Sequence, residues 1–160
     1  MTVDAAATNF QEAGPQHLDA LVANNIAMAQ ETEGLELPPP TIRKGVQAVL
    51  EGTHGAQARY YILTHPGDGS VLAQLMITFE WSDWRAAQVW WVQSVFVPIA
   101  HRRKGYYRRL YEMVREEARR AGAAGVRLYA DDGNGRAHEA YRRLGMTSHY
   151  SVFEDMFVGY

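Results

Sequence analysis

The residues best suited to chemistry lie in one short stretch, HRRKGYYRR, residues 101–109. A run with helical period follows it, Leu110, Met113, Val114, Ala118 and Ala121, so the spacing predicts a helix beginning near Arg103. The first turn of a helix carries unpaired N–H groups and partial positive charge, and favours Ser, Thr, Asp or Asn caps and acidic neighbours. None is present here. Arg102, Arg103, Lys104, Arg108 and Arg109 crowd the positive end of the dipole instead. A bound anion would supply the missing cap and would be drawn in by the cations. Pyrophosphate suits this better than carboxylate because several N–H donors converge, and Gly105 would let the backbone approach closely. A solvated basic helix with Arg108–Glu112 and Glu116–Arg120 pairs accounts for the later turns but not for the uncapped cationic start.

The elements that must position this stretch are legible from pattern. GPQHLDALVANNIAMAQETEG predicts a first helix over 15–31, LPPP at 37–40 breaks the chain, and 41–51 reads as a short second helix. ARYYILTHPGDGSVLAQLMITFEW reads as two strands joined by a turn at Pro66–Ser70. QVWWVQSVFV, 88–97, is β-branched, aromatic and apolar on both faces, as a central buried strand would be. After the basic loop come the helix over 103–121, a strand at 126–130, a helix over 134–144 stopped by Gly145, and a strand-like tail, SHYSVFEDMFV. This order predicts a mixed sheet covered by helices, with one strand–helix–strand crossover that aims the basic helix start at the crevice beyond the strand 88–97.

Composition limits the alternatives. The 160 residues, 47% apolar and 21% charged, are those of an ordinary globule and most simply form one domain. No apolar run reaches the roughly 18 residues of a membrane span, and MTVDAAATNF has no signal-peptide pattern, so a cytoplasmic protein is expected. There is no cysteine, which excludes disulfides, zinc–thiolate sites and an acyl-cysteine intermediate; the six histidines lack ligand spacing, so no metal is expected. Residues 1–57 hold seven acids against two bases, whereas eight of the sixteen Lys and Arg fall within 102–120. Those cations could serve nucleic acid, but the interleaved Glu112, Glu116 and Glu117 and a pI near 6.3 argue against it.

VFVPIAHRRKGYYRRLYEMV resembles the acyl-CoA-binding signature of the GNAT superfamily of N-acetyltransferases, a strand ending V-x-P followed by Q/R-x-x-G-x-G/A at a helix start. That second part falls on Arg102, Arg103, Lys104, Gly105, Tyr106 and Tyr107. A further family pattern, N-x-x-A-x-x-x-Y-x-x-x-G-[FM], falls on Asn134, Ala137, Tyr141, Gly145 and Met146. The resemblance implies a GNAT-like α/β domain over 1–160, with a mixed sheet of about six to seven strands flanked by about four helices. It implies that backbone groups of Val95, Phe96 and Val97 pair with the pantetheine arm of acetyl-CoA and hold the acetyl carbonyl. N–H groups from Arg103 to Arg108 would cradle the pyrophosphate, Asn134 and Ala137 would lie against the cofactor, and Tyr141 would direct its hydroxyl at the sulfur. Taken alone, Asn134 could be an N-cap and Tyr141 core packing. Tyr107 departs from the family's small residue; the stripe 107, 110, 114, 118, 121 predicts its ring buried under the sheet.

The implied function is acetyl transfer from acetyl-CoA to a primary amine of a small molecule or peptide, with no membrane or nucleic-acid partner and with a homodimer allowed. Without cysteine, direct attack in a ternary complex is expected, with Tyr141 as general acid. Glu80, ending the strand before the WSDW turn, is the candidate base, and Asp83 the second. AQETEGLEL at 29–37 could attract a cationic acceptor or be a solvated acidic loop; Trp81, Trp84, Trp90 and Trp91 could wall an acceptor pocket or be core. The alternative function is a catalytically silent acyl-CoA-binding module.

Overall fold

A computed structural model describes residues 2–160. The chain order is β1 (Asn9–Glu12), α1 (Leu18–Glu33), α2 (Pro39–Glu51), β2 (Ala58–Thr64), β3 (Val71–Ser82), β4 (Ala87–Phe96), α3 (Tyr106–Arg120), β5 (Gly125–Leu128) and α4 (Gly135–Arg143). One open sheet runs β1-β2-β3-β4-β5, antiparallel except for the parallel pair β4–β5 that the α3 crossover creates. Among the described residues four helices flank it, within a few residues of the expected ones, and no helix is long and apolar enough to cross a membrane.

The sheet has five strands among the described residues, not six to seven. The strand-like tail is the difference. Over 147–160 it forms no strand and makes no backbone hydrogen bond to the sheet, although the Arg127 guanidinium lies 5.9 Å from the Tyr150 ring centroid. A strand-like composition becomes a strand only where a neighbour completes its hydrogen bonds, and β5 supplies only four residues of edge. Conversely, β1 pairs Phe10 with Leu63 and Gln11 with Ile62, although NFQE is too short to announce itself.

Two cores result. On one face, Leu75, Ile77, Trp90 and Val92 pack against Tyr106, Leu110, Val114 and Ala118 of α3. On the other, Tyr60 and Ile62 pack against Leu21 and Val22 of α1 and Val46 of α2. The buried stripe of α3 therefore begins at Tyr106, not Tyr107. The i+4 spacing of 106, 110, 114 and 118 places four side chains over the sheet, and the Tyr106 hydroxyl donates to the Val3 carbonyl at 2.6 Å. Tyr107, one residue on, is turned about 100° away. Its ring meets Tyr111 and Tyr141 instead.

Leu110 is fully buried between α3 and the sheet. Leu110→Ala is expected to lower unfolding stability by about 2–5 kcal/mol, through lost burial plus the cavity left behind. Urea denaturation should show this as a lower midpoint at unchanged slope.

Candidate active site

The parallel ladder ends at Val92↔Leu128, four residues before β4 itself ends at Phe96. Beyond that point β4 and β5 separate, and the β5-side edge of β4 is open. The other edge is irregular as well. Met76 pairs with Gln93 and Gln74 with Phe96, so Leu75 alone faces both Ser94 and Val95. This is a β-bulge, with Ser94 held at φ 50°, a backbone conformation that side-chain-bearing residues rarely adopt. The bulge re-aims the backbone of residues 94–97 at the gap between the strands.

Two adjoining depressions occupy that gap. The first, about 240 Å³, is a cradle lined by Val97, His101, Arg102, Arg103, Gly105, Tyr106, Tyr107, Arg108 and Arg136. It lies at the start of α3, which Gly105 caps at φ 76° with no side-chain hydrogen bond and no acid in the first turn. Arg103 at φ 60° and Gly105 thus turn the loop so that the uncapped N–H groups face the cradle. A Cβ on Gly105 would meet only Ala5 Cβ, at 3.9 Å, so the left-handed φ rather than crowding requires glycine there. His101 is held below its ordinary pKa by burial and then by the nearby Lys104 charge.

The second depression, a cleft of about 550 Å³, is lined by Glu31 and Thr32 of α1, Val95, Arg102, Tyr107, and Asp131, Gly133, Asn134, Arg136, Ala137, Ala140 and Tyr141 around α4. The structure therefore brings together Val95, Val97, Arg102, Arg103, Gly105, Tyr106, Tyr107, Arg108, Asn134, Ala137 and Tyr141. Asn134 is both wall and cap, its side chain accepting from the Ala137 N–H at 3.1 Å.

Tyr107 lines both depressions, its ring 6.1 Å from that of Tyr141 and edge-on to it. Its hydroxyl is buried without a completed hydrogen bond, and burial, then Tyr141 and Tyr111, push its pKa far up. The Tyr141 hydroxyl is also raised by burial, with the Tyr107 hydroxyl working against the shift. Tyr141 is thus protonated throughout the neutral range.

Three expected site residues direct their side chains away from the two depressions. Phe96 is buried, its ring beneath the Arg102 guanidinium at 5.5 Å. Lys104 turns back to donate to the Ala100 carbonyl at 2.9 Å. Glu80 pairs across the sheet with Val89, at the end of β4 far from the cleft. Its carboxylate accepts from Trp91 Nε1 and, at 3.3 Å, from Arg127 Nη1. The antiparallel β3–β4 register puts the end of β3 beside the beginning of β4, so Glu80 and the turn residue Asp83 cannot reach the gap. Among the tryptophans, Trp90 is core, Trp81 and Trp84 are exposed near that same turn, and Trp91 stands 6.1 Å from Tyr129.

Of the charged wall residues, Arg136 escaped the sequence reading, and Glu31 entered it only as part of the acidic stretch 29–37. Arg136 borders both depressions and repeats the signal at 102–109, a cation in an acid-free first turn. Glu31, in the last turn of α1, accepts from both terminal nitrogens of Arg102, the longer bond being 2.7 Å. The same guanidinium donates Nε to the Val97 carbonyl at 2.8 Å, so Arg102 straps α1 to the end of β4. The hydrogen bonds from Arg102, with the Arg102 and Arg136 charges behind them, hold the Glu31 carboxyl below its ordinary range.

The Acetyltransferase (GNAT) family model matches residues 26–146. A crystal structure of a possible acetyltransferase from Clostridium difficile 630 is 33% identical, covers 95% of this chain and 99% of its own, and superposes with a TM-score of 0.85. A predicted acetyltransferase with acetyl-CoA from Clostridium acetobutylicum shares the fold at 13% identity and a TM-score of 0.73, over 93% of this chain and 96% of its own. An acetyltransferase of Trypanosoma brucei does so at 15% and 0.70, over 94% and 99%. Comparison with curated proteins gives no match. The chain belongs to the GNAT acetyltransferase family.

A depressed carboxylate contributes stability above its unfolded pKa and loses it as pH falls through the folded value. Glu31→Gln should therefore lower the Tm at pH 7, and the gap from wild type should close as pH falls below the ordinary glutamate range. Thermal melts from pH 7 to pH 3 check this; a gap that stays constant would mean the charge of Glu31 contributes nothing.

Proposed function

We propose that this protein is an N-acetyltransferase that moves an acetyl group from acetyl-CoA to a primary amine of a small molecule or peptide. The observation that carries this reading is the open end of β4. A strand edge with free hydrogen-bonding groups runs directly into an uncapped, cation-rich helix start, and the two suit the two ends of one ligand, an amide-bearing arm and a pyrophosphate. Backbone groups of Val95 and Val97 would hold the arm, and the first-turn N–H groups of α3 with Arg103, Arg108 and Arg136 would hold the phosphates. Acetyl-CoA would supply the acetyl group as a thioester, activated toward amines.

This chain's residues then supply positioning and one proton. With no cysteine to carry the group, the amine attacks directly while both substrates are bound. Backbone N–H groups at the bulge would donate to the carbonyl oxygen as negative charge develops on it. Tyr141 donates its hydroxyl proton to the departing thiolate; burial, which disfavours the phenolate, keeps that proton in place until it is needed. Glu80, held by Trp91 and Arg127, lies outside the cleft lining. Among the described residues, the carboxylates on the cleft wall are Glu31, held by Arg102, and Asp131, which no cation holds. The amine proton passes to Asp131 or to water.

A silent acyl-CoA-binding module is the second reading, favoured by the Glu80 carboxylate on β3 being held by Trp91 and Arg127 outside the cleft lining. A panel of primary amines offered with acetyl-CoA, followed by release of free thiol, separates the two: turnover is expected, and none with any amine would leave the binding module. In the turnover assay Tyr141→Phe should lower kcat on the order of 10²–10⁴-fold with little change in the Kd for acetyl-CoA. A kcat within about twofold of wild type, where chemistry limits the rate, would reduce Tyr141 to packing. Gly105→Val, strained at φ 76° and bulky at the cradle, should weaken acetyl-CoA binding in calorimetric titration while the protein still folds.

A further inference from the structure

Beneath the bulge lies a polar cluster that the reaction as described does not use. Gln74 of β3 is fully buried, with Asn25 of α1 and Tyr60 of β2 nearly so. A polar side chain in such a place costs stability unless all its groups are paired. Gln74 meets that demand completely. Its Oε1 accepts from Asn24 Nδ2 at 2.9 Å, and its Nε2 donates to Asn25 Oδ1 at 2.9 Å and to the Ser94 carbonyl at 3.3 Å. Asn25 Nδ2 in turn donates to the Tyr60 hydroxyl at 2.9 Å. Burial raises the Tyr60 phenol, and hydrogen bonding with Asn25 and Ser94 works against it.

The cluster ends on a residue with a strained backbone. Ser94 sits at φ 50°, a conformation that persists only where its surroundings hold it. Gln74 is opposite Phe96 in the ladder, one step past the bulge, so its side chain reaches back across the irregularity to the Ser94 carbonyl that the bulge has displaced. At the far end of the segment, Arg102 Nε fixes the Val97 carbonyl at 2.8 Å. Residues 94–97 are thereby pinned at both ends, with Val95 between them on the cleft wall. An apolar residue at 74 would bury more comfortably, yet it would take from the Ser94 carbonyl, Asn24 Nδ2 and Asn25 Oδ1 the partner that Gln74 supplies.

We propose that Gln74 is a positioning residue for acetyl transfer: ordered by Asn24, Asn25 and Tyr60, its amide holds the Ser94 carbonyl and so sets the angle at which the bulge presents its N–H groups to the acetyl carbonyl. The proposal rests on the acetyltransferase reading above. It also makes α1 part of the catalytic frame, because the helix grips residues 94–97 through Asn24 and Asn25 at one end and through Glu31 and Arg102 at the other.

The test uses acetyl-CoA labelled with ¹³C at the carbonyl, and reads the carbonyl stretch by difference infrared spectroscopy beside kcat and Kd. Wild type should lower the stretch on binding, as a polarised carbonyl does. Gln74→Met, of similar length and without the amide, should lose half or more of that shift and about tenfold in kcat. This is less than the ~10²–10³-fold expected for outright loss of an oxyanion donor, because the donor is misaimed rather than deleted. Its Kd for acetyl-CoA should stay within about threefold, since the phosphate cradle is untouched. A folded Gln74→Met protein with the full shift and kcat within twofold would overturn the proposal. If Gln74→Met does not fold, Tyr60→Phe decides, removing only the outermost hydroxyl: a smaller loss in both readouts is expected, and no change in either overturns it. Failure of wild type to bind acetyl-CoA would instead overturn the acetyltransferase reading, and this proposal with it.

Discussion

Backbone hydrogen-bonding groups need partners, and β4 runs out of them on one side while the strand still continues. Up to Val92 it is a central strand, paired with β3 and β5 and buried against α3. Beyond Val92 the β5 side is empty, and the bulge at Ser94 and Val95 loosens the β3 side as well. A sheet that stopped there would only fray. Instead the chain turns through Val97 and the basic loop into α3, whose first turn is unsatisfied in the same way. Two sets of orphan groups, one from a strand and one from a helix, meet around one gap. Most other features of the site keep that gap open and shaped.

Keeping it open is the work of α1 and α4. The helix α1 does not fill the gap; it reaches the rim through Asn24, Asn25 and Glu31. At the opposite wall α4 presents Asn134, Ala137 and Tyr141 on one face, with the small Ala137 and Ala140 leaving volume for a ligand. Tyr107 enters from α3 between the two depressions. Its bulk at a position where the family carries a small residue does not close the site, because the ring folds toward Tyr111 and Tyr141 while the backbone stays at the cradle. The consequence is a pair of half-buried tyrosines in the cleft wall.

Charge is divided between the same parts. The cradle gathers Arg103, Arg108 and Arg136 around unsatisfied N–H groups, while Arg102 is neutralised by Glu31 and spends its donors on structure. A guanidinium suits that task, since its planar fork serves a carboxylate with two nitrogens while the third donor holds a carbonyl. Exposed pairs such as Arg108–Glu112 and Arg143–Glu139 contribute little by comparison, being screened by solvent. The Glu31–Arg102 pair matters for the geometry it imposes on Val97.

How much of this could be read from the chain depends on the range of the interactions. The helices, the hairpin and the central strand are local patterns of period, punctuation and apolarity, and the sequence by itself determined them. So too the uncapped basic helix start and the Asn134–Tyr141 spacing, because a cap or its absence is a matter of a few adjacent residues. The remainder was decided by tertiary structure. Glu80 reads as a candidate base from its place at a strand end, and only the antiparallel register sets it beside Val89, outside the cleft lining. Tyr107 and Tyr106 are equal candidates in a periodic stripe, and only docking on the sheet chose Tyr106. The tail has a strand-like composition but finds no partner edge, while NFQE has no pattern and becomes a strand because β2 offers one. Arg102 and Glu31 stand 71 residues apart, and Asn24 and Gln74 stand 50 apart. A hydrogen bond over such a distance in the chain leaves no periodic trace, since it depends on where whole elements come to rest, and it is these bonds that shape the backbone at the site.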